Sequence, residues 1–402
     1  MTGHASRQAW TKVRIGDVGR VVSGATPRTD NPAYWNGNIR WATPRDLSGH
    51  QDPVVRETAK AITPAGIASC SAETLPIGSV LFSSRAPIGL VAITGVPMAT
   101  NQGFKSVVPG AEIDPRFLYW TLRHLGPGIA ERAPGTTFKE VNKATMEDVR
   151  IPVPPLPEQR RIAALLDKAD AIRRKRQQAI RLADAFLRSA FLDMFGDPVT
   201  NPKGWPVLPL GEVIVAIEGG WSAQGEDRAP KPGEKAVLKV SAVTSGSYRP
   251  DECKAVLDVH GRCLVVPEAG DVLFSRANTR ELVAATCLVD RTAQDVFLPD
   301  KLWRLVPDTK TILGPCLRFA LSSASVRSLI RSRATGTSGS MLNVSMAKLR
   351  AIPIPVPDLQ SQERFGRLLA RLYLLEQRER VSESACETLA DALVQRAFSG
   401  GL

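Results

Sequence analysis

Residues 151–160 read IPVPPLPEQR, and residues 352–357 read IPIPVP. Because proline cannot donate a hydrogen bond inside a helix, each stretch predicts a boundary between the residues before it and a helix after it. Further blocks recur in the same order, beginning at Trp10, Gly78 and Asp184 in the first half of the chain and at Trp205, Gly270 and Asp391 in the second. The sequence therefore contains an internal repeat, which predicts two copies of a unit made of one globular part and one long helix.

Each proline-rich stretch leads into a segment with one apolar stripe. Apolar residues recur at three- and four-residue steps from Ile162 to Met194, and again from Phe365 to Val394. This spacing places them on one face of an α-helix. Segments this long would each reach roughly 55 Å at about 1.5 Å per residue, which is too long for the interior of a small domain. Two such stripes predict that the helices pack on each other as an antiparallel coiled coil.

The globular parts contain short apolar runs, at residues 79–83, 90–94 and 237–243, separated by Gly, Pro, Asn and Ser. Runs of this length and punctuation are typical of short twisted strands. We therefore predict an α+β fold with two pseudo-repeated globular domains separated by two long helices packed as an antiparallel coiled coil. The predicted division is residues 1–154 and 197–356 for the domains, and residues 155–196 and 357–402 for the helical regions.

The composition indicates a globular protein with a basic surface. Of the 402 residues, 43% are hydrophobic and 23% are charged, and the formal net charge is +12. Lysine and arginine attract polyanions because neutralising phosphates releases condensed counterions, so nucleic acid is the expected partner. Many basic proteins have no such role, and charge alone leaves the partner open.

The sequence shows no pattern of a membrane span or a metal site. No stretch of about 18 uncharged apolar residues occurs, and residues 1–12 carry no apolar run of signal-peptide length, so we expect a cytoplasmic protein. The six cysteines and four histidines have no metal-ligand or disulfide spacing. We therefore predict free thiols and no metal site.

Several other stretches accompany residues 151–160: MFGDP at 194–198, NPKGWP at 201–206, GDVLFSR at 270–276 and RAFSG at 396–400. In this order they resemble the HsdS family of Type I restriction-modification specificity subunits, over essentially the whole chain. The resemblance implies a non-catalytic subunit with two target-recognition domains, each of which reads one half of a bipartite double-stranded DNA target. It also implies helical regions that dock modification (methyltransferase) subunits, expected to number two, and that set the spacing between the half-sites.

The same resemblance distributes the cofactors among partner subunits. No cofactor is expected in this chain. S-adenosylmethionine is expected in the modification subunit, and ATP and Mg in a restriction (translocase and nuclease) subunit that joins through the complex.

Polar side chains of the two predicted domains are candidate DNA contacts. Arginine can pair with guanine, asparagine and glutamine can pair with adenine, and lysine and hydroxyl groups can contact phosphates. The first domain offers Arg28, Arg40, Arg45, Arg85, Asn101, Gln102, Lys105, Thr136 and Lys139. The second offers Lys239, Arg249, Arg276, Asn278, Arg280, Lys301, Ser338 and Asn343. The strongest candidates are Asn101, Gln102, Arg276 and Asn278, because they follow apolar runs that would hold them rigidly.

A second set of candidates lies on the apolar stripes of the helices. These residues are expected to hold the partner subunits: Ile162, Leu166, Phe186, Phe191, Phe365, Leu369, Leu393 and Phe398.

The main alternative is a catalytic chain. Residues 31–34 (NPAY) differ by one residue from the N-P-P-Y motif of adenine methyltransferases, but no apolar strand precedes them and no glycine-rich S-adenosylmethionine loop is present. Residues 250–254 (PDECK) hold the letters of a nuclease site, but side by side rather than on separate strands that could share a metal. We predict no catalytic residue. A stand-alone DNA methyltransferase or nuclease, and a coiled-coil scaffold for protein partners, remain the alternatives.

Overall fold

The computed structural model describes residues 10–375, apart from 51, 86, 134–138, 260 and 337–340. Contacts within the chain separate two compact units, whose described parts are residues 10–178 and 179–375. The boundary falls inside the long helix, so each unit contains one globular domain and one half of that helix. The division into four regions stays a prediction.

The domain of the first unit is a mixture of short strands and helices. Its strands are β1 (Lys12–Arg14), β2 (Gly19–Ser23), β3 (Trp35–Ala42), β4 (Val54–Val55), β5 (Lys60–Ile62), β6 (Val80–Phe82), β7 (Val91–Thr94), β8 (Met98–Thr100), β9 (Lys105–Pro109) and β10 (Arg150–Pro152). Its helices are α1 (Ile15–Val18), α2 (Pro44–Leu47), α3 (Pro64–Ala68), α4 (Pro115–Arg132) and α5 (Lys143–Glu147), with a 3₁₀ turn at Pro32–Tyr34. The long helix α6 (Leu156–Phe195) follows.

The domain of the second unit repeats much of this order, with additional short elements. Its strands are β11 (Val207–Pro209), β12 (Ile214–Gly219), β13 (Lys235–Leu238), β14 (Cys253–Val256), β15 (Val272–Ser275), β16 (Ala277–Asn278), β17 (Thr286–Leu288), β18 (Val296–Phe297), β19 (Leu302–Pro307), β20 (Leu342–Asn343) and β21 (Pro353–Pro355). Its helices are α7 (Leu210–Val213), α8 (Ser241–Thr244), α9 (Gly314–Ser322), α10 (Ala324–Arg333) and α11 (Met346–Arg350). Residues 359–375, at the end of the described range, form a second long helix, α12.

The sheets of the two domains correspond to each other. In the first, β2-β9-β6-β7-β4 form one sheet and β5-β3-β8 another; in the second, β12-β19-β15-β17 and β14-β13-β18 take these places. The pairs β3·β8 and β13·β18 are both parallel, with Trp41 opposite Ala99 and Val237 opposite Phe297. Because parallel strands end at the same edge of a sheet, the chain segments that follow each pair leave the sheet side by side.

The proline-rich stretches form the last strand of each domain. Strand β10 pairs with β1, with Lys12 opposite Pro152, and β21 pairs with β11, with Val207 opposite Pro355. Proline fits here because a two-stranded ribbon leaves one side of each strand without ladder hydrogen bonds. In each domain the last strand thus pairs with the first strand, immediately before the long helix begins.

The long helices contribute to the core of both units. Ile162 and Leu166 of α6 pack with Phe117 and Leu118 of α4 in the first unit. In the second unit Phe191 of α6 joins Phe319, Phe365 and Leu369, and the Phe191 ring lies 5.5 Å from that of Phe365. The C-terminal end of α6 therefore meets the N-terminal end of α12.

The structure confirms the α+β fold and a first long helix of 40 residues. The antiparallel coiled coil as a whole involves residues 376–402, which lie outside the described residues, and it stays a prediction. Of the predicted strands, 79–83 and 90–94 are present as β6 and β7. The prediction of a strand over residues 237–243 is wrong beyond Leu238, because the partner strand β14 begins at Cys253 opposite Leu238 and the chain turns into α8.

Candidate nucleic-acid interface

Four separate chain segments meet at one edge of the first domain. The backbone N–H of Ala25 donates to the carbonyl of Thr100 at 3.0 Å, and that of Ser84 donates to Gly103 at 2.8 Å. The N–H of Val141 donates to Ser84 at 2.9 Å. Residues 24–26, 84–85, 101–105 and 139–141 are therefore held together by main-chain hydrogen bonds, and we call them loop cluster 1.

The second domain has the same arrangement. The N–H of Trp221 donates to the carbonyl of Leu298 at 2.9 Å, and that of Arg276 donates to Lys301 at 3.0 Å. The N–H of Val344 donates to Arg276 at 2.9 Å. Residues 220–222, 276–278, 298–301 and 343–344 form loop cluster 2, in which each main-chain contact has a counterpart in loop cluster 1.

A glycine permits the close approach of two segments in each cluster. A Cβ atom at Gly24 would overlap the carbonyl oxygen of Asn101, and one at Gly220 would overlap the carbonyl oxygen of Leu298. No residue other than glycine fits at such an approach. Two positions later, Thr26 hydrogen-bonds Gln102 in the first cluster, and Ser222 hydrogen-bonds Asp300 in the second.

Loop cluster 1 carries cations that are open to an anionic partner. Arg85 and Lys139 belong to it, and Pro44 of α2 places Arg45 beside Gly103. Within the described ranges, no acidic side chain pairs with any of these three cations. Lys105, by contrast, is only 7% exposed and lies 3.4 Å from Glu140.

The amide side chains of loop cluster 1 are held in defined positions. The Asn101 side-chain oxygen accepts a 2.9 Å hydrogen bond from the N–H of Gly103, which leaves its NH₂ group as a donor. Gln102 is exposed and shares a hydrogen bond with Thr26. Both residues therefore present polar groups from a rigid loop, as base recognition requires.

Loop cluster 2 is organised around Arg276. Its Nε donates to the carbonyl of Asp300 at 2.7 Å, its Nη2 lies 3.7 Å from the Asp300 carboxylate, and its guanidinium lies 5.6 Å from the centre of the Trp303 ring. The antiparallel pair β16·β20 brings Asn278 and Asn343 next to it. Lys301 belongs to the same cluster and makes no ion pair with the residues that the structure describes.

Other candidate residues lie apart from the clusters or are already paired. Arg28 pairs with Asp30 at 2.9 Å, and this hydrogen-bonded arginine lowers the pKa of the Asp30 carboxyl. Arg40 pairs with Glu57 at 2.7 Å, and Lys239 pairs with Asp227, which raises the pKa of Lys239. Two further candidates, Arg249 and Arg280, are exposed. Candidates outside the described residues are Thr136 and Ser338.

The sequence reasoning missed Ser222 and Asp300 of loop cluster 2. Ser222 occupies the position of Thr26 in loop cluster 1, and Asp300 occupies that of Gln102. Thr26 and Ser222 each lie two positions after a glycine of close approach. Extending the repeat alignment into the loops would have found them. The sequence analysis also missed Arg262, whose guanidinium lies 4.6 Å from the centre of the ring of Trp221 in loop cluster 2.

Most of the helical residues expected to hold partners are buried in the core. Ile162, Leu166, Phe191, Phe365 and Leu369 are each at most 5% exposed within their own unit. Their apolar contacts are satisfied by the adjoining domain, and their role toward partner subunits stays a prediction. Phe186 is 53% exposed and remains a surface candidate. Two candidates lie outside the described residues: Leu393 and Phe398.

Residues 31–34, which resemble a methyltransferase motif, form part of a capped turn. The Asn31 side chain accepts a hydrogen bond from the N–H of Ala33 at 3.1 Å and caps the 3₁₀ turn that precedes β3. It is therefore engaged within its own turn. Across the described ranges, no cluster of three or more His, Cys, Asp or Glu side chains could hold a metal ion. No helix in this part of the chain is long and apolar enough to cross a membrane.

Two equivalent loop clusters, each on an α+β domain joined to a long helix, define a two-domain protein with internal pseudo-symmetry. Residues 7–182 match the family described as Type I restriction modification DNA specificity domain. Over this stretch the chain is similar to the specificity domains of Type I restriction-modification systems.

Named relatives show the same similarity. The MjaIX specificity subunit of Methanocaldococcus jannaschii is 32% identical over 54% of this chain and 54% of its own length. The EcoEI specificity subunit of Escherichia coli is 28% identical over 50% of this chain and 35% of its own length. The chain thus spans about half or less of the length of these relatives. A crystal structure of the S subunit from M. genitalium has the same fold, with a TM-score of 0.59 at 16% identity, over 99% of this chain and 98% of that one.

Proposed function

We propose that this chain is the non-catalytic DNA-recognition subunit of a Type I restriction-modification enzyme. Each domain reads one half of a bipartite double-stranded target through its loop cluster. The observation that carries the proposal is the repetition of the same main-chain contacts in two domains of different sequence, with arginine, lysine and amide side chains at the equivalent edge of both. A scaffold held by backbone contacts can display different side chains, which is what two unlike half-sites need.

The chemistry is assigned to partner subunits. The relatives are named specificity subunits, and the described residues supply neither a metal cluster nor a methyltransferase motif in the required setting. Modification subunits, two in number, would bind S-adenosylmethionine and dock on the helical regions, with exposed Phe186 as a candidate contact. A restriction subunit would supply the ATP- and Mg-dependent steps. The helices would set the distance between the half-sites.

The test compares this chain alone with the chain plus its modification subunits on a bipartite duplex. We expect methyl transfer from S-adenosylmethionine only when the modification subunits are present, and sequence-specific binding by the complex. Methyl transfer by the isolated chain would instead support a methyltransferase. No duplex binding in the presence of the modification subunits would support a protein scaffold.

Two glycine variants connect this activity to the loop clusters. Gly24→Ala places a Cβ atom against the Asn101 carbonyl and should abolish specific binding and methylation. Gly128→Ala is the matched control, because its Cβ atom in helix α4 meets nothing within 4 Å. Equal activity of the two folded variants would show that loop cluster 1 is not part of the binding surface.

A further inference from the structure

The first turn of each long helix carries a buried glutamine with an unusual set of partners. Gln159 of α6 is 0% exposed, and so is Gln362 of α12. Each is the fourth residue of its helix, since α6 begins at Leu156 and the described part of α12 at residue 359.

Gln159 makes three hydrogen bonds, all with the main chain. Its side-chain oxygen accepts from the N–H of Asp114 at 2.8 Å. Its side-chain NH₂ group donates to the carbonyl of Glu112 at 2.9 Å and to that of Pro154 at 2.8 Å. Asp114 is the N-cap residue of α4. The glutamine therefore connects the start of α6, the proline-rich lead-in and the start of α4.

Gln362 makes the same three hydrogen bonds in the second unit. Its oxygen accepts from the N–H of Leu313, the N-cap residue of α9, at 2.8 Å. Its NH₂ group donates to the carbonyl of Thr311 at 3.0 Å and to that of Pro357 at 2.7 Å. Two of the three partner residues differ in type between the units, and the third is proline in both, but the main-chain atoms are the same. We call the two glutamines with these partners the glutamine clamps.

Hydrogen bonds and apolar contacts constrain a helix differently. Packing of Ile162 or Phe365 in the core stabilises the unit but is non-directional, so it tolerates small rotations of the helix. Hydrogen bonds require a narrow range of distance and angle. The side-chain amide of each glutamine uses its oxygen and both N–H groups to join two helix starts, and so fixes the direction of one helix relative to the other. No other side chain of this length has one acceptor and two donors at its end.

We propose that Gln159 and Gln362 are positioning residues that fix the direction of each long helix relative to its recognition domain, and so determine which gap between half-sites is accepted. This inference rests on the function proposed above. Because the clamps contact only main-chain atoms, domains of different sequence can be attached to the helices at one angle.

The test measures methylation by the complex with its modification subunits on duplexes that contain both half-sites separated by different gaps. Wild type should strongly prefer one gap length. For Gln159→Leu, which keeps the approximate size of the side chain but loses all three hydrogen bonds, we expect preference for this gap over gaps one base pair longer or shorter to fall about tenfold. Gln362→Leu should do the same.

The control variant is Ile129→Ala, which removes a buried side chain of α4 in the core of the first unit and leaves the clamp intact. It should lower thermal stability while preserving the gap preference, because a loss of packing alone does not redirect the helix. An unchanged gap preference in a folded Gln159→Leu or Gln362→Leu complex would overturn the inference.

A measurement on the wild-type chain covers the case in which neither leucine variant folds. Native-state hydrogen exchange should show strong protection of the Asp114 and Leu313 amides, and exchange as fast as in an open loop would overturn the inference. A wild-type complex that methylates no duplex of any gap would contradict the proposed function instead, so the two failures are distinguishable.

Discussion

Arg276 and Asp300 are joined twice: Nε of the arginine donates to the Asp300 carbonyl at 2.7 Å, and Nη2 lies 3.7 Å from the Asp300 carboxylate. With Trp303 beneath the guanidinium, the arginine is restricted before any ligand arrives. A pre-positioned, planar side chain loses little entropy on binding, and its remaining N–H groups can face a base edge.

Arg276→Ala should therefore weaken binding of the complex to its specific duplex by about 1–3 kcal/mol. The loss should be smaller on a duplex whose second half-site is scrambled, because a base contact is lost only where the correct base is present. Fluorescence titration of both duplexes measures this. Arg291→Ala, which removes an exposed arginine paired with Asp290 at 3.4 Å, is the control. Equal losses on both duplexes would identify a phosphate contact.

The cations of loop cluster 1 should contribute to the salt dependence of binding. Arg85→Ala and Lys139→Ala should each reduce the slope of log K against log salt concentration by about one, because each removes one phosphate contact. Arg28→Ala should change the slope less, since Asp30 already neutralises Arg28. Titrations at several salt concentrations provide the slopes. A larger change for Arg28 than for Arg85 would show that binding takes place on a different surface.

The aromatic cluster at the end of α6 should dominate the stability of the second unit. The Phe365 ring is buried and lies 5.0 Å from Phe319 and 5.5 Å from Phe191. Phe365→Ala should lower the free energy of unfolding by about 3–5 kcal/mol. Leu374→Ala in the same helix, at a side chain 64% exposed, should change it by less than about 0.5 kcal/mol. Urea denaturation of both variants measures these changes, and similar midpoints of unfolding for the two variants would contradict this packing.

Much of the fold could be predicted because its signals are local. The proline-rich stretch and the apolar stripe predicted a helix at 155–196, and α6 spans Leu156–Phe195. The end of β13 at Leu238 could not be predicted, because it depends on pairing with Cys253, 15 positions later. The burial of Phe191 likewise depends on Phe319, which is distant in the chain.

The candidate site was predictable by residue type more than by position. Polar loops after apolar strands indicated Asn101 and Arg276, and both lie in loop clusters. Which cations stay unpaired depends on partners such as Glu57, opposite Arg40, that only the folded chain brings near. The pairing of Arg28 with Asp30 could be predicted from the sequence, because only one residue separates them.

If the long helices determine the spacing, lengthening both should lengthen the accepted gap. Four residues inserted after Ile172 and four after Leu375 add about 6 Å to each helix, or nearly two base pairs, and keep the apolar stripes almost in register. We expect methylation of the same half-sequences across a longer gap. Duplexes of graded gap length provide the measurement. An unchanged gap in an active variant would mean that the domains set the spacing without the helices.

The most direct test of one domain for each half-site is an exchange of residues 205–350 for the matching segment of another specificity subunit with a different target. The exchanged segment keeps α6, α12 and strand β21 of the host, so the attachment of the domain is preserved. Genomic methylation is then mapped in cells that express the hybrid chain with its modification subunits. We predict that one half of the target changes to that of the donor and the other half stays the same. A change in both halves, or in neither, in an active hybrid would contradict the assignment.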